Sequence, residues 1–76
     1  MKKTTRSLSD LRPGDKVYSA GPSRWAKNPL TVTEPLGYIE PGSPVRGVRC
    51  GTLPGGVEMV LYDDQHVGEE IVYERG

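Results

Sequence analysis

The sequence predicts an all-β fold, a small five-stranded barrel with at most one short helical turn. Apolar residues come in short runs, and several of these alternate with polar residues, which is strand spacing rather than helix spacing. Ten Gly and seven Pro fall mostly between those runs, where turns need them. The longest uninterrupted apolar run, Met59-Val60-Leu61-Tyr62, is far too short to span a bilayer. With 76 residues the chain forms one domain, 1–76, with 1–7 expected as a flexible tail. A chain of this size buries about 60% of its unfolded surface, enough for one small core.

Ser7-Leu8-Ser9-Asp10-Leu11 reads as a single helical turn, with Leu8 and Leu11 on one side at i, i+3 spacing. Pro13-Gly14-Asp15 is a corner in which Pro presets φ and Gly accepts a positive one. Lys16 to Ala20 is the first strand, and Gly21 to Asn28 is a polar loop carrying the only Trp. Leu30-Thr31-Val32-Thr33 alternates as a half-buried strand, and Pro35 confines it to an edge or ends it. Glu40-Pro41-Gly42-Ser43-Pro44 turns the chain into a third strand, Val45 to Cys50. Val45 and Val48 have opposite parity there, so a bulge at Gly47 is expected to restore the phase. Leu53-Pro54-Gly55-Gly56 is the strongest hairpin signal. It leads into a fourth strand whose Val57, Met59 and Leu61 point one way. A loop from Asp63 to Glu69 precedes the last strand, Glu70 to Glu74. The expected core is Val17, Val32, Met59, Leu61 and Ile71.

Ten cations balance ten anions, yet the balance is uneven along the chain. Residues 1–38 carry seven cations against three carboxylates, and residues 39–76 carry the reverse. Either the surface is dipolar and prefers a polyanion on one face, or the two halves neutralise each other when strands pair. The basic start, Met1-Lys2-Lys3, is followed by Asp10 and Arg12 where a signal peptide needs an apolar stretch. That start, with a single cysteine, leads us to expect a cytoplasmic protein without a membrane segment or a disulfide framework.

Leu11-Arg12-Pro13-Gly14-Asp15-Lys16-Val17, followed by a loop and then Pro29-Leu30-Thr31-Val32, resembles the opening of small SH3-like β-barrels, including KOW-type domains. The loop departs from the KOW pattern: its Gly21 comes one place early, and Arg24-Trp25-Ala26-Lys27-Asn28 replaces the lysine-glycine element. Over its full length the chain is also similar to small uncharacterised barrel proteins of archaea and their viruses. These resemblances imply an SH3-like barrel and leave function open. Val60-Leu61-Tyr62-Asp63-Asp64 looks like the alanine-leucine-tyrosine-aspartate-tyrosine motif of eukaryotic SH3 domains. It falls in the fourth strand, downstream of the only tryptophan, so Pro-rich peptide binding does not follow from it.

Arg24-Trp25-Ala26-Lys27 is the most suggestive segment for chemistry. A tryptophan between cations can stack on a base while the cations meet phosphates, or it can dock an apolar peptide. The plainer alternative makes Trp25 a lid over one end of the core. Arg46 and Arg49 would extend this site into a basic stripe only if a bulge at Gly47 put both on one face; otherwise they are separately solvated. Asp63-Asp64-Gln65-His66 with Glu69-Glu70 collects oxygen ligands and one imidazole, but lacks EF-hand or zinc spacing and reads as a solvated acidic loop. Cys50 and His66 are the only thiol and imidazole, and no third group at a recognisable spacing would orient them as a nucleophilic pair. Tyr18, Tyr38, Tyr62, Tyr73 and Trp25 could form an aromatic cage for a cation, or simply cover the core. The expectation is a non-catalytic binding module with no cofactor and no metal. Its partner is nucleic acid held by Arg24, Trp25, Lys27, Arg46 and Arg49, or alternatively a protein in an assembly, such as an accessory or viral subunit, anchored by Trp25 and nearby apolar residues.

Overall fold

The computed structural model describes residues 1–25, 27–51, 58–66 and 68–75. It is all-β, with eight strand segments and one 3-10 turn: β1 (Lys2–Thr5), the turn (Leu8–Asp10), β2 (Lys16–Ala20), β3 (Ser23–Arg24), β4 (Leu30–Val32), β5 (Gly37–Tyr38), β6 (Arg46–Gly51), β7 (Glu58–Tyr62) and β8 (Ile71–Glu74). All five strands expected from the sequence are present. The hairpin expected at Leu53-Pro54-Gly55-Gly56, and Val57 after it, lie outside the described residues.

All pairings are antiparallel. β8 lies between β1 and β2, and β2 continues to β4 and then β6. Cys50 and Gly51 pair with β4 on one side and with β7 on the other, so β7 occupies the far edge of β6. β5 follows β4 along the near edge, at Arg46 and Gly47. The expected five-stranded barrel is therefore corrected to one open ladder of eight segments: among the described residues, β1 bonds only β8 and β7 bonds only β6. The expected tail is corrected too. Lys2 to Thr5 pair residue for residue with Glu74 to Ile71, a strand made by backbone bonds with no apolar side chain to announce it.

Register decides which side chains are buried. The core holds Leu8, Leu11, Val17, Ala20, Leu30, Val32, Val48, Cys50, Leu61, Ile71 and Tyr73, with Trp25 and Leu36 packed against it. Val17 and Ala20 differ in parity, yet both are fully buried. The β2–β8 register shifts between Val17 and Ser19, so Tyr18 is the extra residue of a bulge that returns Ala20 to the core face. Gly47, by contrast, is not bulged. Gly47 to Gly51 pair without interruption with Tyr62 to Glu58. Glycine is needed there because an added Cβ would lie 2.9 Å from the Leu61 carbonyl oxygen and 2.9 Å from Val60 Cγ1. Val45 lies before the strand begins, so no phase had to be restored. Met59 has the parity of buried Leu61 but sits nearer the start of the edge strand and is 41% exposed, which removes it from the expected core.

The Pro13-Gly14-Asp15 corner is joined to the sheet. Gly14 takes φ +95° and its N–H donates to the Val32 carbonyl, while Val32 N–H donates to the Asp15 carbonyl. Ser7 caps the 3-10 turn by accepting from Ser9 N–H, and places Leu8 in the core.

Candidate functional site

The Trp25 loop arises from two short segments that share one edge of β2. β3 pairs with Ser19 and Ala20, and β4 pairs with Lys16 and Val17. Between them the chain leaves the sheet. Trp25 N–H still donates to the Tyr18 carbonyl at 2.7 Å, so the backbone of the indole is fixed at the bulge of β2. Its side chain is half-buried against the core. Arg24, Trp25, Lys27 and Asn28 line an open hollow of about 380 Å³. Arg24 and Lys27 are exposed, and no ion pair among the described residues involves either. Asn28, absent from the residues expected at the site, adds an amide that can both donate and accept.

Arg46 and Arg49 do not join this group. With no bulge at Gly47 they stay on opposite faces of β6, and each is met by carboxylates. Arg46 Nη2 lies 3.5 Å from Asp63 Oδ2. Arg49 pairs with Glu58, reaches Glu34 Oε2 at 3.7 Å and donates from Nη2 to the Ile39 carbonyl at 2.9 Å. The basic stripe that a bulge at Gly47 would have allowed is not formed among the described residues, and the register supplies both arginines with partners that spacing alone does not reveal. Charge from the two halves also meets across the sheet: Glu74 sits in register between Lys2 and Lys16.

The other candidates separate. Cys50 is fully buried in the core, and burial pushes its thiol up to about 11, so it holds its proton at neutral pH. His66 Nδ1 lies 2.9 Å from Glu69 Oε2 within its own loop. Among the described residues no three His, Cys, Asp or Glu converge as metal ligands. Among the described residues the tyrosines do not converge into a cage. Tyr18 donates to Glu74 and lies under Lys2 Nζ at 4.4 Å, Tyr73 is in the core, and Tyr38 is 72% exposed. Tyr62 lines a second hollow of about 150 Å³ with Ile39, Glu40, Ser43 and Val45.

One buried ionic group carries no sign of its partner in the local sequence. Asp15 accepts from Arg12 N–H at 2.9 Å and from Arg75 Nε and Nη2 at 3.1 and 3.0 Å. Those bonds from Arg75 hold the Asp15 carboxyl below its ordinary value. The Gly14-Asp15 corner could have suggested a structural carboxylate, but nothing local pointed to Arg75. No helix among the described residues is long and apolar enough to cross a membrane. No protein-family model, curated protein or solved structure matches this chain.

Proposed function

We propose that the chain is a non-catalytic binding module, acting in the cytoplasm, that holds a short single-stranded nucleic-acid segment at the Trp25 loop. One observation carries this reading. Arg24 and Lys27, without ion-pair partners among the described residues, flank a half-buried indole at a single open hollow. A base stacks on Trp25 while the two cations meet neighbouring phosphates. The SH3-like and KOW-like kinship is kept on the residues of the Leu11–Val17 opening alone, and Arg46 and Arg49 are left out of the site.

The chain has one tryptophan, so its emission reports the site directly. Titration with a single-stranded oligonucleotide at low salt is expected to quench it, with weak, micromolar-range affinity. Two phosphate contacts set the slope of log K against log salt near −1.4. Trp25→Ala is expected to cost about 1–3 kcal/mol of binding with little change in that slope, since stacking releases no counterions. A folded protein that binds neither DNA nor RNA at low salt overturns the reading. A protein partner is the second reading, favoured by the carboxylates that neutralise Arg46 and Arg49 and by the hollow at Ile39, Val45 and Tyr62 beside exposed Tyr38.

A further inference from the structure

Among the described residues, the two-residue segments β3 and β5 have one partner each, and the strands of four residues or more that have a single partner are β1 and β7. An open strand edge presents unpaired N–H and C=O groups to any chain able to match it. These two edges carry opposite charge. Lys2, Lys3 and Arg6 mark β1, with Glu74 beside Lys2. Glu58, Asp63 and Asp64 mark β7; Arg49 is divided between Glu58 and Glu34, and Arg46 meets Asp63, which leaves this edge negative.

Strand direction reverses at every step of β1-β8-β2-β4-β6-β7, so β1 and β7 run in opposite senses. A second copy set head to tail in the same orientation therefore brings its β1 antiparallel to the first copy's β7, and the alternation continues across the joint. The faces also match. Lys3 and Thr5 pair with Tyr73 and Ile71 on the core side, the side to which Met59 and Leu61 belong. Keeping core side beside core side, one register sets Arg6 against Glu58, Thr5 against exposed Met59, and Lys2 against Tyr62. Lys3 and Lys2 then lie diagonal to Asp63 and Asp64, within reach of a lysine side chain. Pairing two copies of β1 would oppose cations, and pairing two copies of β7 would oppose carboxylates.

We propose that the protein associates with itself head to tail, the basic β1 edge of one copy adding to the acidic β7 edge of the next. Such an interface is heterologous, and it propagates unless its rotation closes a ring. Sedimentation velocity over a concentration series, up to about 1 mM protein in about 20 mM salt, tests it. Association beyond a dimer is expected, weakening as salt rises. Lys2→Glu and Asp64→Lys are each expected to weaken it about tenfold or more, while an equimolar mixture of the two variants regains it, because in an alternating array every joint again opposes unlike charges at positions 2 and 64. Circular dichroism confirms that each variant is folded; if Lys2→Glu, which loses the contact with Tyr18, frays β1, the effect of Asp64→Lys, an exposed turn position, decides the matter. A wild-type protein that stays monomeric under these conditions overturns the proposal. So does an assembly indifferent to the charge changes.

Discussion

Arg75 grips Asp15 with two parallel hydrogen bonds, Nε to Oδ1 at 3.1 Å and Nη2 to Oδ2 at 3.0 Å, joining the corner before β2 to the residue after β8. The same guanidinium donates to the Asp10 carbonyl at 2.9 Å, so the 3-10 turn is held as well. Asp15 is buried while Arg75 keeps partial contact with water. This is a charge placed in the interior with its hydrogen bonds complete, and such a group is costly to leave unpaired.

Asp15→Asn is therefore expected to destabilise the fold by about 3 kcal/mol, lowering the melting temperature by about 10 °C or more. The wild-type protein carries the corresponding pH dependence. The folded pKa of Asp15 lies below its unfolded value, so its contribution is complete above about pH 4 and is lost as pH falls through the folded pKa. Acid unfolding followed by circular dichroism should lose this component in Asp15→Asn.

Gly47→Ala is expected to cost about 1–3 kcal/mol, measured by denaturant unfolding. Its new methyl would meet a backbone carbonyl, that of Leu61, which cannot turn aside as a flexible side chain can. Gly14→Ala meets no neighbour but is strained at φ +95°. Its cost would come from the backbone alone.

Cys50 should resist thiol reagents in the native state and react readily once the protein is unfolded. Burial both raises its pKa to about 11 and blocks access. Rapid stoichiometric labelling without unfolding would contradict its position in the core.

The cations should divide into two classes when binding is measured against salt. Arg24→Ala and Lys27→Ala are each expected to lower the slope by about 0.7 on single strands, one phosphate apiece. Arg46→Ala and Arg49→Ala should leave it unchanged, because their carboxylate partners already neutralise them. Equal effects from all four would restore the basic stripe.

Strand positions were legible because alternation and turn residues are local signals: Leu30-Thr31-Val32 and Pro13-Gly14-Asp15 announce themselves. What escaped depends on pairing between distant segments. Lys2-Lys3-Thr4-Thr5 has no apolar pattern, and becomes a strand only because β8 offers it an edge. The bulge falls at Tyr18 rather than Gly47 because β8, not composition, sets the register of β2. Of the candidate site, Arg24, Trp25 and Lys27 were legible as neighbours in sequence. The loss of Arg46 and Arg49 required knowing that Asp63, Glu58 and Glu34 stand opposite them.

The position of β8 bears on how the chain can fold while it is being made. Both β1 and β2 take residues 71–74 as a partner, and Arg75 must arrive before Asp15 is neutralised. A ribosome-bound chain lacking those residues can form the β2–β4–β6 meander, but it leaves one edge of β2 bare and a buried carboxylate without its cation. The final sheet thus forms only once residues 71–75 are free of the exit tunnel, because one strand supplies both the seam between β1 and β2 and the cation that Asp15 requires.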